Sequence, residues 1–152
     1  MLDPFSAFFA ISTSAKLARF CYKTAKDLNA LQVSYKGSKS TLMSVVALCE
    51  VFGKEVNYIG DWLEKTAKES NEHELLHLET LKKALDLIEG SMKRLSKDIE
   101  KISASGGAAR MGMAEQWIKV KYSWSEDILK KHLTALREHA TLIQLILTAL
   151  QL

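Results

Sequence analysis

Apolar residues recur at the three- and four-residue spacing of an α-helix in four segments of the chain. In the first segment, Asp3 followed by Pro4 is a favourable N-cap and first-turn pair. The pattern predicts a helix from this pair to about Tyr35, with an apolar face made of two lines of residues. The lines are Phe8, Ile11, Ala15, Ala18, Tyr22 and Ala25, and then Leu17, Cys21, Leu28, Leu31 and Tyr35.

The second and third segments have the most regular apolar patterns. KGSKS at 36–40 predicts a turn, after which the second helix carries an unbroken apolar series. Its members are Leu42, Val45, Cys49, Phe52, Val56, Ile59 and Leu63. The third helix carries a heptad seam, whose members are Leu78, Leu81, Leu85, Ile88, Met92, Leu95, Ile99 and Ile102.

A glycine-containing stretch separates the third helix from the last one. SASGGAARMG at 103–112 predicts a flexible break, and WIKVKYSW at 117–124 is a short, isolated strand-like candidate. Ser123 followed by Glu126 has the form of a capping box, which predicts that a helix begins there. Its seam consists of Leu129, Leu133, Leu136, Ala140, Ile143, Leu147 and Leu150.

Long helices with such seams bury them best against one another when they lie nearly antiparallel and are joined by short turns. The sequence therefore predicts an all-α, four- to five-helix up-and-down bundle with long antiparallel helices. Residues 1–152 fit one domain, and the only proline is Pro4. The tail HATLIQLILTALQL is apolar almost all round, which favours either a central helix or continuation into a longer protein.

Composition narrows the functional classes. Cys21 and Cys49 lie at apolar helical positions without a C-x-x-C pair, as buried thiols of a cytosolic protein would. A net charge of +3 is too small to indicate nucleic acid as a partner. Asp3 precedes the first apolar stretch and the basic residues follow it, which is the reverse of a secretory leader.

The string HELLH at 73–77 matches the zinc-protease pattern H-E-x-x-H. A catalytic zinc also needs a third protein ligand, and His132 and His139 lie on another helix without the usual continuation. We therefore interpret His73 and His77 as the solvated start of the third helix, with an opportunistic surface metal site as the alternative. No other catalytic constellation is present in the sequence, so we expect no enzyme, no catalytic residue, no metal and no cofactor.

The first helix carries the most informative pattern. Residues 4–26 contain no acidic side chain, and an uncharged aromatic tip is followed by cations at helical spacing. Such a helix suits the interface of an anionic membrane. The candidate membrane-binding residues are Phe5, Phe8, Phe9, Ile11, Lys16, Arg19 and Lys23.

Two further considerations bear on this interpretation. Ser6, Ala10, Ser14 and Ala18 form a small-residue line that permits close helix contact in lipid. The uncharged stretch spans only about 18 Å as a helix, whereas the hydrocarbon core of a bilayer is about 30 Å thick. The alternative is that the aromatics belong to the core and that the cations form the wet face of an ordinary bundle helix.

Four stretches carry a resemblance to a known family. They are MLDPFSAFFAISTSAKLARFCYKTAKDL, the long second helix ending in Trp62, LIEGSMKRLSKDIEKI, and AEQWIKVKYSWSEDILKKHLTALREHATLIQLIL. Together they resemble the fungal HeLo-like domain, which forms the N-terminal domain of STAND (NLR-like) receptors or precedes amyloid-forming motifs. The chain is also similar to HeLo and to the four-helix cell-death domain of necroptosis.

The resemblance implies a cytoplasmic, membrane-targeting domain of fungal programmed cell death and heteroincompatibility. In this class, oligomerisation at the C-terminal side releases the N-terminal helix to permeabilise the plasma membrane. The implied partners are anionic membrane lipids, further copies of the chain, and an attached or partner NLR-like or amyloid-signalling domain. The alternative is a non-membrane oligomerisation or adaptor module that regulates an attached receptor.

Overall fold

A computed structural model describes the backbone of residues 4–33, 38–69, 72–108 and 126–149, and the side chains of 9–32, 38–66, 78–101 and 126–149. Within these ranges the chain is helical and contains no strand, which confirms the all-α class. The helices are α1 (Pro4–Ala30), α2 (Lys39–Glu69), α3 (Glu72–Ala108) and α4 (Glu126–Ala149), and a short 3₁₀ helix (Leu31–Val33) follows α1.

Helix α1 begins at Pro4, a residue whose fixed backbone angle suits the first turn. Its α-helical part ends at Ala30, short of the predicted end at Tyr35. The last turn tightens into 3₁₀ geometry at Leu31–Val33, a common ending where the following residues favour a turn.

Helix α2 begins earlier and ends later than the sequence predicts. The backbone N–H of Leu42 donates to the carbonyl of Ser38 at 3.2 Å, so Ser38 occupies the N-cap position favoured by serine. Lys39 therefore belongs to the helix and not to the predicted turn. At the other end α2 continues past Trp62 to Glu69, and the burial of Thr66 shows that this extension still packs on its neighbours.

Helix α3 continues through the first part of the predicted break, as far as Ala108. The prediction of a break from residue 103 is therefore wrong for 103–108. A helical glycine costs only about 1 kcal/mol relative to alanine, and no proline interrupts a helix that is already propagating. The remainder of the break, the strand-like candidate at 117–124 and Ser123 lie outside the described residues.

The core contains apolar side chains from all four of these helices. The predicted seams of α2, α3 and α4 are confirmed where their side chains are described, with Ala140 half-buried against the core. The side chains of Ile102 and Leu150 lie outside the described residues. In α1 the second predicted line is buried at Leu17, Cys21 and Leu28, whereas Ala15 and Tyr22 of the first line are exposed.

The contacts between helices define their neighbours. Helix α1 packs most extensively on α2, and α4 packs mainly on α2 and α3. Tyr22 lies against Gly53 and Ser14 against Gly60 between α1 and α2. Six polar residues form three pairs across the other interfaces: Thr41 with Glu126 at 3.2 Å, Asp98 with His132 at 2.7 Å, and Ser91 with His139 at 2.7 Å.

Candidate membrane-facing surface of the first helix

The inward face of α1 includes a line of small side chains. Ala10, Ser14 and Ala18 are buried against the rest of the protein. The Ser14 hydroxyl donates to the carbonyl of Ala10 at 2.9 Å, which satisfies its polarity inside the helix itself. This face therefore meets α2 without placing an unpaired hydroxyl in the core.

Two glycines of α2 allow α1 to approach closely. A Cβ atom added at Gly60 would lie 3.2 Å from the Cβ of Ser14, and one added at Gly53 would lie 2.8 Å from Cζ of Tyr22. The line of small residues that could serve helix contact in lipid is therefore occupied, from Ala10 onward, by contact within the protein. The side chain of Ser6 lies outside the described residues.

The opposite face of α1 is exposed and basic. Phe9 retains 63% of its accessible surface, and Lys16, Arg19, Lys23 and Lys26 are all exposed. Phe9, Lys16 and Lys23 follow one another at seven-residue intervals, so they form one line with steps of about 10.5 Å. We call these five residues the outward face of α1.

The other candidate residues have different positions. The alternative in which the aromatics belong to the core does not hold for Phe9, which is exposed. Ile11 is half-buried and packs against the core, so it helps to dock the helix. The side chains of Phe5 and Phe8 lie outside the described residues.

The charges on the outward face are almost uncompensated within α1. Nζ of Lys23 lies 3.7 Å from Oδ2 of Asp27; the Lys23 side chain is largely exposed and that of Asp27 is about half exposed. An exposed pair of this spacing contributes little to stability and is screened by salt. Asp27 is the first acidic residue after Asp3 in the sequence, so it marks the end of the basic stretch.

The histidines do not assemble into a metal site in the part of the chain that the structure describes. Helix α3 begins at Glu72, so His73 and His77 lie in its first turns, as predicted; their side chains lie outside the described residues. No group of three or more potential ligands is placed to hold a metal among the described side chains.

Two polar contacts between α3 and α4 were missed by the sequence analysis. His132 Nε2 lies 2.7 Å from Asp98 Oδ2, and His139 Nδ1 lies 2.7 Å from the Ser91 hydroxyl. Burial lowers the pKa of His139, and the nearby charge of Arg94 lowers it further. Ser91 directly precedes Met92 of the apolar seam, and a buried polar residue at the edge of a seam needs a partner, so Ser91 was the available sequence signal for the contact with His139.

The two cysteines lie at the centre of the protein. Cys21 of α1 and Cys49 of α2 are both free thiols with 0% exposure, which confirms that they are buried. Burial raises the pKa of each thiol to about 12. Both thiols are therefore protonated and shielded while α1 stays docked.

The last turns of α4 are less buried than their sequence suggests. Ile143 and Leu147 pack into the core, but Leu142 is exposed and Leu145 retains 63% of its surface. The alternative of a central helix therefore does not hold for this segment, because Leu142 and Leu145 are not covered by any of the described residues. Leu145 also borders a shallow, open depression on the surface of α4.

Comparison of the chain with models of protein families, with curated proteins and with solved structures finds no match. None of the helices within the described ranges combines the length and the apolarity needed to cross a membrane.

Proposed function

We propose that this chain is a non-enzymatic, membrane-targeting, cell-death-inducing domain of the HeLo-like type. It resides in the cytoplasm and relocates to the plasma membrane on activation. Copies of the chain oligomerise at that stage, and after oligomerisation the N-terminal helix engages the anionic plasma membrane. An attached or partner NLR-like or amyloid-signalling domain supplies the trigger.

The proposed architecture is a four- to five-helix up-and-down bundle with long antiparallel helices. Its support is the order of the contacts between helices. Later residues of α1 meet earlier residues of α2, since Tyr22 contacts Gly53 whereas Ser14 contacts Gly60. The same reversal relates α3 and α4, since Asp98 meets His132 whereas Ser91 meets His139.

The observation that carries the functional proposal is the outward face of α1. Each cation near an anionic membrane contributes about 1 kcal/mol, so the four together would contribute about 4 kcal/mol. The surface that Phe9 still exposes would add about 2 to 3 kcal/mol if the bilayer covered it. These terms are large enough to hold the domain on a membrane through this helix.

Permeabilisation requires a further step. The uncharged part of α1 is shorter than a bilayer is thick, so a spanning helix would carry Lys16 and Arg19 into lipid. Several copies of the chain could shield those charges from the hydrocarbon by turning the outward face of each α1 toward a shared, water-filled interior. Oligomerisation is therefore proposed as the condition for leakage.

Leakage from vesicles that contain anionic lipid tests this function. We expect the unmodified chain to release an entrapped dye, and a variant with Phe8→Asp and Phe9→Asp to lose this activity while remaining helical by circular dichroism. A matched control changes two exposed apolar residues of α2, Val51→Asp and Tyr58→Asp, and should keep the activity. Equal leakage from the unmodified chain and the phenylalanine variant would overturn the proposal.

The same variants can be tested in cells. Expression of the unmodified chain should kill fungal cells, and the Phe8→Asp, Phe9→Asp variant should not kill them at the same protein level. The α2 control should kill as efficiently as the unmodified chain. Killing by the phenylalanine variant would show that toxicity does not depend on the tip of α1.

One observation favours the second candidate, an oligomerisation or adaptor module that does not touch lipid. Leu142 and Leu145 present apolar surface on α4, on a different helix from the proposed membrane face. Such a module would show concentration-dependent sedimentation that Leu145→Glu abolishes, with no binding to vesicles. Sedimentation that is independent of concentration would count against this candidate.

A further inference from the structure

We propose that the outward face of α1 attaches the domain to an anionic bilayer while α1 remains docked on α2. The inference rests on the proposed function and specifies its first step. The partner is a lipid surface rich in anionic headgroups, and the bound species is the closed monomer. This attachment is peripheral and precedes oligomerisation, whereas the release of α1 and its deeper engagement with the membrane follow oligomerisation.

The first argument is that docking and lipid contact use opposite faces of the helix. Ala10, Ser14 and Ala18 point into the protein, whereas Phe9 and Lys16 are exposed. No docked side chain has to leave its neighbours before the cations can reach a headgroup. Attachment therefore requires no conformational change.

The second argument is that the inward contact is close. The backbones of α1 and α2 lie close together at Ser14 and Gly60. A methyl group added at Gly60 would lie only 3.2 Å from the Cβ of Ser14. Cys21 and Cys49 are fully buried on the same pair of helices. A helix held in this way would have to leave a packed core in order to insert, while its cations are already available to lipid.

The third argument is the shape and charge of the face. From Phe9 to Lys26 the outward face extends about 25 Å along the helix axis, so it fits a helix lying parallel to the bilayer surface. The face contains four cations and no acid before Asp27. This one-sided charge complements phosphate and carboxylate headgroups.

Binding to vesicles tests where the bilayer attaches. The affinity of the monomer for phosphatidylcholine vesicles containing phosphatidylserine is compared with its affinity for phosphatidylcholine alone. We expect Lys16→Gln with Arg19→Gln to weaken binding about twenty-five-fold, since each cation accounts for about fivefold. The matched control, Lys130→Gln with Lys131→Gln, removes two exposed cations from α4 and should change the affinity less than twofold.

The reactivity of the buried cysteines tests whether α1 stays docked. We expect iodoacetamide to label Cys21 and Cys49 equally slowly in the free protein and in the vesicle-bound monomer. A Gly60→Leu variant, which forces the helices apart, provides the reference for an undocked α1 and should be labelled at least tenfold faster. Labelling of the vesicle-bound, unmodified chain at that faster rate would overturn the inference.

The outcomes separate this inference from the proposed function. Binding with rapid labelling would mean that α1 undocks on contact, so the inference fails and the membrane function remains. If the monomer does not bind but enforced oligomers cause leakage, the inference also fails and the membrane function also remains. Failure to bind and failure to cause leakage in any state would overturn both. If the chain binds a short DNA duplex as tightly as it binds anionic vesicles, the outward face of α1 recognises polyanions in general and not a lipid surface. That result would also overturn the inference.

Discussion

The contact between Ser14 and Gly60 makes a prediction about a single methyl group. In the substitution Gly60→Ala, the new Cβ would lie 3.2 Å from the Cβ of Ser14, closer than two carbon atoms normally approach. Ser14 cannot turn away, because its Cβ is attached directly to the backbone of α1. Helix α1 itself must therefore shift to accommodate the methyl group.

Two opposing effects set the magnitude. Alanine is favoured over glycine inside a helix by about 1 kcal/mol, whereas forcing an extra methyl group into a packed interface costs about 1 to 3 kcal/mol. We expect Gly60→Ala to lower the free energy of unfolding by about 1 kcal/mol in total. For a chain of this size, the change corresponds to a fall in Tm of about 2 to 4 °C.

Gly53→Ala is the matched control. Its new methyl group would meet the far end of the Tyr22 ring, and Tyr22 is partly exposed, so the ring can swing toward solvent. The cost of the contact is then small, and the helical preference for alanine remains. We expect the free energy of unfolding to rise by up to about 1 kcal/mol, which is the opposite sign to the Gly60 substitution.

Urea unfolding followed by circular dichroism measures both changes, and a double-mutant cycle identifies the contact. In a Ser14→Gly background the obstructing Cβ is gone, so Gly60→Ala should raise stability by about 1 kcal/mol instead of lowering it. The coupling between the two sites is then about 2 kcal/mol. Equal stabilisation by Gly60→Ala and Gly53→Ala would refute the close approach of α1 to α2.

Two further predictions concern charge and pH. Asp27→Asn removes the acid beside Lys23, so the affinity for anionic vesicles should rise by about fivefold with little change in stability; an unchanged affinity would show that Lys23 does not contact lipid. Because the folded state lowers the pKa of His139, the contribution of this residue to stability is complete above about pH 6.5 and is lost as the pH falls through the folded pKa. His139→Gln should therefore reduce the loss of stability between pH 7.5 and pH 5; an identical loss in both proteins would contradict this assignment.

The fold class and three of the four seams followed directly from the spacing of large apolar residues. Phe52, Ile88 and Leu129 are fully buried because each belongs to a continuous stripe that only a neighbouring helix can cover. Along these stripes hydrophobicity and burial coincide. The three- and four-residue spacing of apolar residues therefore predicts both that a helix forms and which side of it packs against the neighbouring helices.

Helix α1 was harder to predict because side-chain size, and not apolarity alone, decides which side of it docks. Its buried face includes Ser14 and Thr24, whereas Phe9 is exposed. The spacing of Gly53 and Gly60, seven residues apart on α2, was the available signal that a partner helix approaches there. The spacing of apolar residues takes no account of glycines, so it did not predict the contact between Gly60 and Ser14.

The boundaries of the helices depended on interactions that spacing does not show. Helix α3 continues to Ala108 because propagation outweighs the weak helix preference of glycine, while α2 begins at Lys39, directly after Ser38 at the N-cap position. The pairing of Ser91 with His139 required knowledge of which helices are neighbours. A single polar residue on a seam indicates that a partner exists, but it does not identify that partner.

The depth of a spin label at position 9 tests the proposed membrane attachment most directly. Phe9→Cys places a reactive thiol on an exposed site, while Cys21 and Cys49 are buried and protonated, so the label attaches selectively. On anionic vesicles we expect this label about 5 to 10 Å inside the headgroup boundary, and a label at the exposed position of Thr134→Cys on α4 should remain in water. Labels that remain equally accessible to an aqueous quencher at both positions would contradict attachment through α1.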